Sequence, residues 1–367
     1  MLERHIADYH FIADPTTGMT MRWGTTIKDN PTWAPVPELA DISISNHCSK
    51  GCSFCYKDSC INNEFLSVED YCRILDSMNH PQYGNVFQVA LGGGEPLEHP
   101  DFLEIIAETC RRSIVPNFTT NGIQLTPKIC GSLSGKIGAV ALSVSSMADL
   151  EKKKLAFLID AGIKTNIHYV LSKNNLEEAC KILRGCYNEM LNGTNAIIFL
   201  TYKPAGRANA KDVIQDNKFF RAFLSLVDET SIARPRFGFD ACFVPMLLKF
   251  SHINHSFIDT CEGAFFSVYI DHKMNVSPCS FSAGKDSYSL KDFAFYDIWN
   301  HKFNSYRTKW KSNCSVDCMH KSLCHGNCPY YPQITICHEQ GRRIKLNFPS
   351  TAYLSSPHSI PLSVVLG

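Results

Sequence analysis

Three cysteines stand close together after the first clearly predicted strand, at Cys48, Cys52 and Cys55. Thiolates at this Cys-x3-Cys-x2-Cys spacing can hold three irons of a [4Fe–4S] cube, which leaves the fourth iron open to a small molecule. The alternative is a structural zinc site, which would need a fourth ligand such as Cys60. The spacing alone favours the iron–sulfur cube over zinc.

A glycine-rich segment follows the next predicted strand, at residues 91–96, which read LGGGEP. Glycines let backbone groups come close to a ligand, and a glutamate carboxylate can accept a hydrogen bond from an ammonium group. Such a turn is weak evidence by itself because many glycine-rich turns bind nothing. Combined with the three cysteines, in this order along an alternating chain, it indicates a cofactor site.

The elements that must position these residues alternate between strand and helix, which predicts a parallel sheet with right-handed crossovers. About six units are fewer than the eight of a closed barrel, so we expect an α/β fold with an open, partial (β/α)6 barrel in residues 40–234. A hairpin is predicted before it, in residues 1–39. The predicted strands are 39–45, 85–91, 115–120, 139–144, 164–171 and 195–202, and the predicted helices are 67–78, 101–112, 150–161, 176–190 and 219–227.

Residues 48–55 and 93–96 together resemble the radical S-adenosylmethionine (radical SAM) superfamily, over roughly residues 40–230. The resemblance implies that the open iron chelates the amino and carboxylate groups of S-adenosylmethionine. An electron from the cluster then cleaves the sulfonium to methionine and a 5′-deoxyadenosyl radical, which abstracts a hydrogen from substrate. An electron donor such as flavodoxin or ferredoxin is implied as well.

The same likeness implies a set of cofactor contacts. The glycine-rich turn would bind the methionine moiety, and the aromatic residue before the last cysteine would pack near adenine. The loop after the third strand and a serine near the end of the fourth strand would add contacts, although ordinary strand-end capping is an equal alternative for them. The residues concerned are Phe54, Gly93, Gly94, Glu95, Asn121 and Ser143.

Cysteine is the outlier of the composition, at 17 of 367 residues. The sequence shows no signal-peptide core, so we expect a cytoplasmic, reducing compartment in which clustered cysteines bind metal more often than they form disulfides. Eight cysteines lie from residue 242 to residue 337, where the strand-and-helix rhythm has stopped. They predict a second domain at 235–345, held together by metal, and a tail at 346–367.

The second cysteine group could bind zinc or iron–sulfur clusters on spacing alone. Residues 261–263, 274–279 and 296–300, with 204–208 (PAGRA), resemble the SPASM extension of radical SAM enzymes, which usually carries two auxiliary [4Fe–4S] clusters. The usual Cys-x2-Cys is Cys-x3-Cys here, and the first cysteine lies unusually far upstream. By that pattern one cluster would be held by Cys242, Cys261, Cys279 and Cys328, and the other by Cys314, Cys318, Cys324 and Cys337.

The SPASM likeness implies a peptide substrate and a crosslink, an oxidation or an epimerisation as the outcome. Two alternatives stay open: a small-molecule radical SAM oxidoreductase that uses auxiliary clusters for electron transfer, and a non-catalytic zinc-binding protein. An epimerase needs a thiol that returns a hydrogen atom, and Cys60 is the candidate. His168, on the fifth strand, is interpreted as an interior histidine with satisfied hydrogen bonds.

Charge and hydropathy argue against two classes of partner. Lys and Arg total 36 and Asp and Glu total 35, so the formal net charge is +1. Such a balance does not favour broad binding to nucleic acid or to an anionic membrane surface. No run approaches the roughly 18 apolar residues that a membrane-spanning helix needs. We therefore expect a peptide and an electron donor as partners, with neither nucleic acid nor membrane.

Overall fold

The computed structural model describes residues 1–229, 236–254, 258–282, 284–311, 318, 320, 324 and 326–337. Within them, thirteen strands form two sheets, one of three strands at the N-terminus and one of ten strands. The larger sheet is open among the described strands, and eight neighbouring strands run parallel. The predicted α/β class is confirmed. In the described residues no helix is long and apolar enough to cross a membrane.

The N-terminal sheet contains β1 (Leu2–Ile6), β2 (Tyr9–Ala13) and β3 (Thr20–Trp23), paired antiparallel in that order. The predicted hairpin is therefore confirmed as β2 and β3. Its turn is closed by Asp14, whose Oδ1 accepts a hydrogen bond from the amide of Thr16 at 2.9 Å.

The strands of the large sheet follow chain order from β4 to β10, as successive strand–helix units require. On the other side of β4, a parallel strand is followed by two antiparallel ones, β11 (Ser267–Ile270), β12 (Asn275–Ser277) and β13 (Tyr288–Ser289). The seven strands in chain order are β4 (Leu39–Ser45), β5 (Gln88–Gly93), β6 (Val115–Thr120), β7 (Ala139–Val144), β8 (Thr165–Leu171), β9 (Ala196–Thr201) and β10 (Arg236–Phe239).

Nine α-helices lie within the described residues. Ser67 accepts a hydrogen bond from the amide of Asp70 and begins the first helix, as predicted. Gly162 ends the turn after the fourth helix with a φ of +71°, again as predicted. The helices are α1 (Val68–Ser77), α2 (Phe102–Arg111), α3 (Pro127–Leu133), α4 (Lys152–Asp160), α5 (Leu176–Leu183), α6 (Lys218–Glu229), α7 (Val244–Phe250), α8 (Phe295–Asp297) and α9 (Asn304–Lys311).

Three local predictions differ from the structure by more than a shift of a few residues at an end. The helix predicted at 176–190 ends at Leu183, because Gly185 takes a φ of +80° that interrupts the helix. The short helix α3 was not predicted, since it contains only seven residues and one of them is Gly131. A seventh parallel strand, β10, pairs with β9 beyond the point where the rhythm was expected to stop. The domain boundaries stay predictions, and the expected tail lies outside the described residues.

Alternate residues of β4 face two environments, as in any strand. Ala40, Ile42 and Ile44 are fully buried in the apolar core that the sheet shares with its helices. Asp41 and Ser43 point to the opposite side. We call this side the inner face of the sheet, and strand register and alternation add Gly92, Thr119, Ser143 and His168 to it.

The amino ends of the strands are covered by the N-terminal hairpin. Lys164 donates a hydrogen bond to the carbonyl oxygen of Thr17, in the hairpin turn, at 2.8 Å. A cavity of about 300 Å³ lies between this turn and polar side chains that include Gln88, Asn117 and Asn166. The predicted cysteine site follows the carboxyl end of β4, so this cavity is at the opposite end of the strands.

Candidate functional site

Residues 48–60 form a loop at the carboxyl end of β4, which we call the cysteine loop. The amide of Cys48 donates to the carbonyl oxygen of Cys60 at 3.0 Å and closes the loop. Inside it, the amide of Cys55 donates to the carbonyl oxygen of Cys52 at 3.3 Å. These three predicted ligands are half-buried free thiols, whereas Cys60 is exposed. Parallel α/β sheets bind their ligands at this end of the strands.

The glycine-rich turn packs directly against the start of the cysteine loop. Gly93 has a φ of +105°, and a Cβ there would lie 2.2 Å from the carbonyl oxygen of Ser45. A Cβ at Gly94 would lie 2.0 Å from the carbonyl oxygen of His47. The amides of Gly94 and Glu95 donate to these same two carbonyls, each at 2.8 Å. Glycine is therefore required at both positions by backbone packing.

Glu95 joins the end of β5 to the end of β6. Its carboxylate accepts hydrogen bonds from the Thr120 hydroxyl at 2.6 Å, the Asn121 amide at 2.7 Å and the Leu97 amide at 3.1 Å. Burial raises the pKa of Glu95 to about 7, against the lowering effect of these bonds. Both oxygens thus already have protein donors, and a cofactor ammonium would be an additional partner.

Two other predicted cofactor residues lie on the same side of the sheet. The side-chain amide of Asn121 points at the sulfur of Cys48, with Nδ2 and Sγ 4.0 Å apart. Ser143 is on the inner face and pairs in register with His168. The ring of His168 is 3.4 Å from the Thr119 hydroxyl, in agreement with the interpretation of an interior histidine.

Phe54 lies on the side of the cysteine loop that faces the C-terminal segment. It packs against a small apolar cluster formed by Tyr202, Val213 and Ile334. These contacts account for an aromatic residue at this position. Its expected contact with adenine stays a prediction.

Arg207 holds the cysteine loop from the end of β9. Its Nε donates to the carbonyl oxygen of Cys52 at 3.0 Å, and its amide donates to that of Cys55 at 3.0 Å. Its Nη1 donates to the carbonyl oxygen of Ser59 at 2.9 Å. A Cβ at Gly206 would lie 2.4 Å from the carbonyl oxygen of Cys55, so the preceding residue must be glycine. The PAGRA segment was recognised in the sequence, but this role was not.

Glu98 holds the beginning of the same loop. One carboxylate oxygen accepts a hydrogen bond from the amide of Ser49 at 2.9 Å, and the Ser49 hydroxyl bonds to the other. His47 Nε2 is 3.4 Å from the first of these oxygens. Nothing local in the sequence indicates this contact, because 49 positions separate the two partners.

Four cysteines of the second group lie near one another. A hydrogen bond from the Cys242 thiol lowers the pKa of Cys328. Burial raises the pKa of Cys261, and the neighbouring Cys242 and Cys279 raise it further. These four residues are the set predicted for one auxiliary cluster. Cys324 also lies close, since it lines the same small cavity as Cys242, Cys261 and Cys328.

The other predicted auxiliary set is seen in part. Cys314 lies outside the described residues, and Cys318 and Cys324 are half-buried. The thiol of Cys337 lies 3.7 Å from Asn327 Oδ1. None of the sixteen described cysteines forms a disulfide. In the part of the chain that the structure describes, no three His, Cys, Asp or Glu side chains converge as they would on a single metal ion.

A largely buried ion pair lies near both the inner face and the second cysteine group. Lys203 Nζ lies 2.8 Å from Asp240 Oδ2, and the Thr201 hydroxyl donates to Asp240 Oδ1 at 2.6 Å. Burial opposes the charge of Lys203, but Asp240 outweighs it and holds the pKa above its ordinary value. The ammonium also lies 4.3 Å from the ring centroid of Phe281. No local pattern in the sequence indicates this pair.

The donor sets fit iron–sulfur ligation. Both groups offer soft sulfur ligands, and those that the structure describes form no disulfide. The first group occupies a loop whose backbone is held at both ends. An open parallel sheet that carries a three-cysteine loop against a glycine-rich turn defines a cofactor-binding α/β domain. Residues 42–199 match the model of the Radical SAM superfamily. The chain therefore contains a radical SAM domain, and the predicted resemblance is confirmed.

Two named proteins are similar to this chain over most of its length. The chain is 23% identical over 310 residues to mycofactocin maturase MftC of Mycolicibacterium smegmatis, covering 77% of this chain and 75% of that protein. It is 22% identical over 324 residues to PqqA peptide cyclase of Granulibacter bethesdensis, covering 80% and 82%.

A similar solved structure is that of Streptococcus suis SuiB bound to precursor peptide SuiA. The TM-score is 0.63 at 20% identity, covering 81% of this chain and 72% of that one. At this identity the likeness establishes the fold.

Proposed function

We propose that this protein is a radical SAM enzyme that modifies a peptide. The observation that carries the proposal is the packing of the cysteine loop, with Cys48, Cys52 and Cys55, against the turn at Gly93 and Gly94. The names of the relatives support a peptide substrate, since one is a peptide cyclase and another is a maturase. SuiB has the same fold and was solved with its precursor peptide.

Cys48, Cys52 and Cys55 would hold a [4Fe–4S] cluster beside S-adenosylmethionine. The bound pair would supply a 5′-deoxyadenosyl radical that takes a hydrogen atom from the substrate. Arg207 and Glu98 keep the loop backbone in place through main-chain hydrogen bonds. Such supporting contacts orient ligands and strengthen metal binding. An electron donor such as flavodoxin or ferredoxin would reduce the cluster.

The C-terminal cysteines would form a SPASM extension with auxiliary [4Fe–4S] clusters. The thiol contact of Cys242 with Cys328 and the proximity of Cys261 and Cys279 support one set. The peptide residue to be modified would enter at the inner face of the sheet. A crosslink, an oxidation or an epimerisation is the expected modification.

The test is anaerobic coexpression with short open reading frames encoded near the gene, followed by mass spectrometry of the peptides. A loss of two mass units indicates a crosslink or an oxidation. An unchanged mass with deuterium incorporated from solvent indicates epimerisation. If S-adenosylmethionine is cleaved but no peptide changes, the substrate is not a peptide encoded there, and small molecules become the candidates.

Cleavage of S-adenosylmethionine can be tested separately from peptide modification. Cys52→Ala should abolish 5′-deoxyadenosine formation, because a cluster ligand is lost. Exposed Cys186→Ala is the matched control and should leave the activity unchanged. Retained cleavage in Cys52→Ala, or zinc in place of iron and sulfide in the anaerobically purified protein, would contradict the proposal.

A further inference from the structure

Asp41 carries a carboxylate on the inner face, in the middle of β4, and the function proposed above does not use it. Strand register places it between Tyr269 of β11 and Ala90 of β5. Gly92 follows on the same face of β5. The nearest described atom to a Cβ built at Gly92 would be Asp41 Oδ1, at 3.9 Å. The carboxylate thus borders open space beside the turn predicted to bind the methionine moiety.

The Asp41 carboxylate has no direct partner among the described residues. It accepts no hydrogen bond there, and no cation lies within the 4.0 Å of an ion pair. Burial raises its pKa to about 7, and the charge of Lys57 acts in the opposite direction. The side chain is only partly buried, so a ligand can reach its oxygens. A carboxylate left without partners beside open space is therefore suited to a ligand.

The charged group next to Asp41 is the Lys57 ammonium, which is already oriented by a contact with another residue. The Lys57 ammonium donates to the Tyr269 hydroxyl and lies 4.9 Å from that ring's centroid. Asp41 and Lys57 thus present an acceptor and a donor that do not meet. A substrate group with both a donor and an acceptor can bridge such a pair, and a peptide amide is one.

Asp41 also lies on the side of the site that faces the second cysteine group. Burial raises the pKa of Cys279 to about 12, and the charge of Asp41 is among the smaller causes. Burial and then Asp41 raise the pKa of Tyr56, whose ring stacks on Phe281 at 4.3 Å between centroids. The carboxylate is therefore close to both the glycine-rich turn and Cys279.

We infer that Asp41 is a substrate-binding residue, whose carboxylate accepts a hydrogen bond from an N–H or O–H group of the peptide residue to be modified. The inference rests on the proposed peptide substrate and names the contact that holds it. A peptide amide suits the site best, with its N–H toward Asp41 and its carbonyl toward Lys57. This contact would hold the substrate beside the site of radical formation.

The experiment uses the holoenzyme with reconstituted clusters and the peptide identified by coexpression. Asp41→Asn removes the acceptor charge at constant size, and Asp41→Ser is a second variant in case the first does not fold. Asp76→Asn is the control, because this exposed aspartate pairs with Arg112 on the helical side. Iron content and far-ultraviolet circular dichroism must match the wild type in each variant compared.

We expect Asp41→Asn to form 5′-deoxyadenosine without peptide within about twofold of the wild-type rate, and to modify the peptide at least about tenfold more slowly, as loss of a hydrogen bond to a charged group predicts. More 5′-deoxyadenosine should be released per modified peptide, a ratio that a merely structural role would not change. Asp76→Asn should match the wild type in all three measurements.

Three results would overturn the inference. One is a variant that modifies the peptide at the wild-type rate and ratio. Another is parallel loss of cleavage without peptide at full iron content, which would place Asp41 in the cofactor site. The third is a wild type that cleaves S-adenosylmethionine but modifies no peptide. In that case the proposed function fails first, and the inference falls with it.

Discussion

Arg207 donates from Nε to the main-chain carbonyl of Cys52 across 3.0 Å, although 155 positions separate the two residues. The contact joins the segment after β9 to the loop after β4. Three of its acceptors in this loop are main-chain carbonyl oxygens, so Arg207 positions the backbone of the cysteine loop independently of the side chains of those three residues. The native conformation of the loop therefore depends on a contact from a distant part of the chain.

Arg207→Ala should weaken metal retention, because the carbonyls of Cys52, Cys55 and Ser59 would each lose a contact or its alignment. We expect iron loss to a chelator under anaerobic conditions to become about tenfold faster, as for other contacts that support metal ligands. Arg221→Ala is the control, since that arginine pairs with Asp216 near the surface. Equal rates of iron loss in the two variants would contradict the assigned role.

Gly94→Ala should destabilise the protein, because the new Cβ would lie 2.0 Å from the His47 carbonyl oxygen. We expect the free energy of unfolding to fall by about 2–3 kcal/mol or more, since main chain must move to relieve the overlap. Gly131→Ala is the matched control in helix α3, where an added Cβ meets nothing within 4 Å. It should stabilise the protein by roughly 0.5–1 kcal/mol.

Urea denaturation monitored by circular dichroism measures both glycine variants under the same conditions. A Gly94→Ala variant as stable as the wild type would show that the turn and the cysteine loop can separate without cost. The sign of the Gly131→Ala effect checks that the measurement detects changes of this size.

The sequence predicts those elements whose signal is local. The strands at 115–120 and 139–144 were predicted residue for residue, because residues that favour strands stand between turn residues there. The helix at 176–190 was too long, because apolar residues continue past Leu183 and only the backbone conformation of Gly185 ends it. Strand β10 was missed because its alternating segment is only four residues long and contains a glycine, a residue that strands disfavour.

The candidate site is likewise predictable from the sequence only where its signal is local. Cysteine spacing indicates which thiols belong to each group, and the structure brings together four of those expected at one auxiliary site. The contacts of Glu98, Arg207 and Lys203 depend on how distant strand ends meet, so no spacing rule reveals them. Asp41 is a single acidic residue within an apolar strand, and its importance depends on what surrounds it.

Lys203→Met should destabilise the protein by about 2–4 kcal/mol, because it leaves the largely buried Asp240 without its cation. Adding Asp240→Asn should recover part of this loss, because the double variant contains no unpaired charge at the site. Chemical denaturation of the two single variants and the double variant gives the coupling energy directly. Strictly additive effects would show that the ion pair contributes nothing beyond its separate side chains.

His168 gives a prediction on pH. Burial lowers the pKa of its imidazole to about 4, with an opposing effect from Asp240. In the unfolded chain the pKa is about 6.5, so between pH 4 and 6.5 the unfolded state binds more protons than the folded one. The contribution of His168 to stability therefore rises with pH through this window and is constant above it.

The His168→Gln variant isolates this effect from the other groups that titrate. The unfolding free energy of the wild type minus that of the variant should fall by up to about 3 kcal/mol from pH 7 to pH 4. Denaturation at several pH values gives the difference curve. A flat curve would mean that His168 accepts a proton in the folded protein. A difference that decreases as the pH is lowered would mean that the imidazole stays neutral in the folded protein. The inner face would then keep a neutral His168 beside Thr119, where the substrate is proposed to bind.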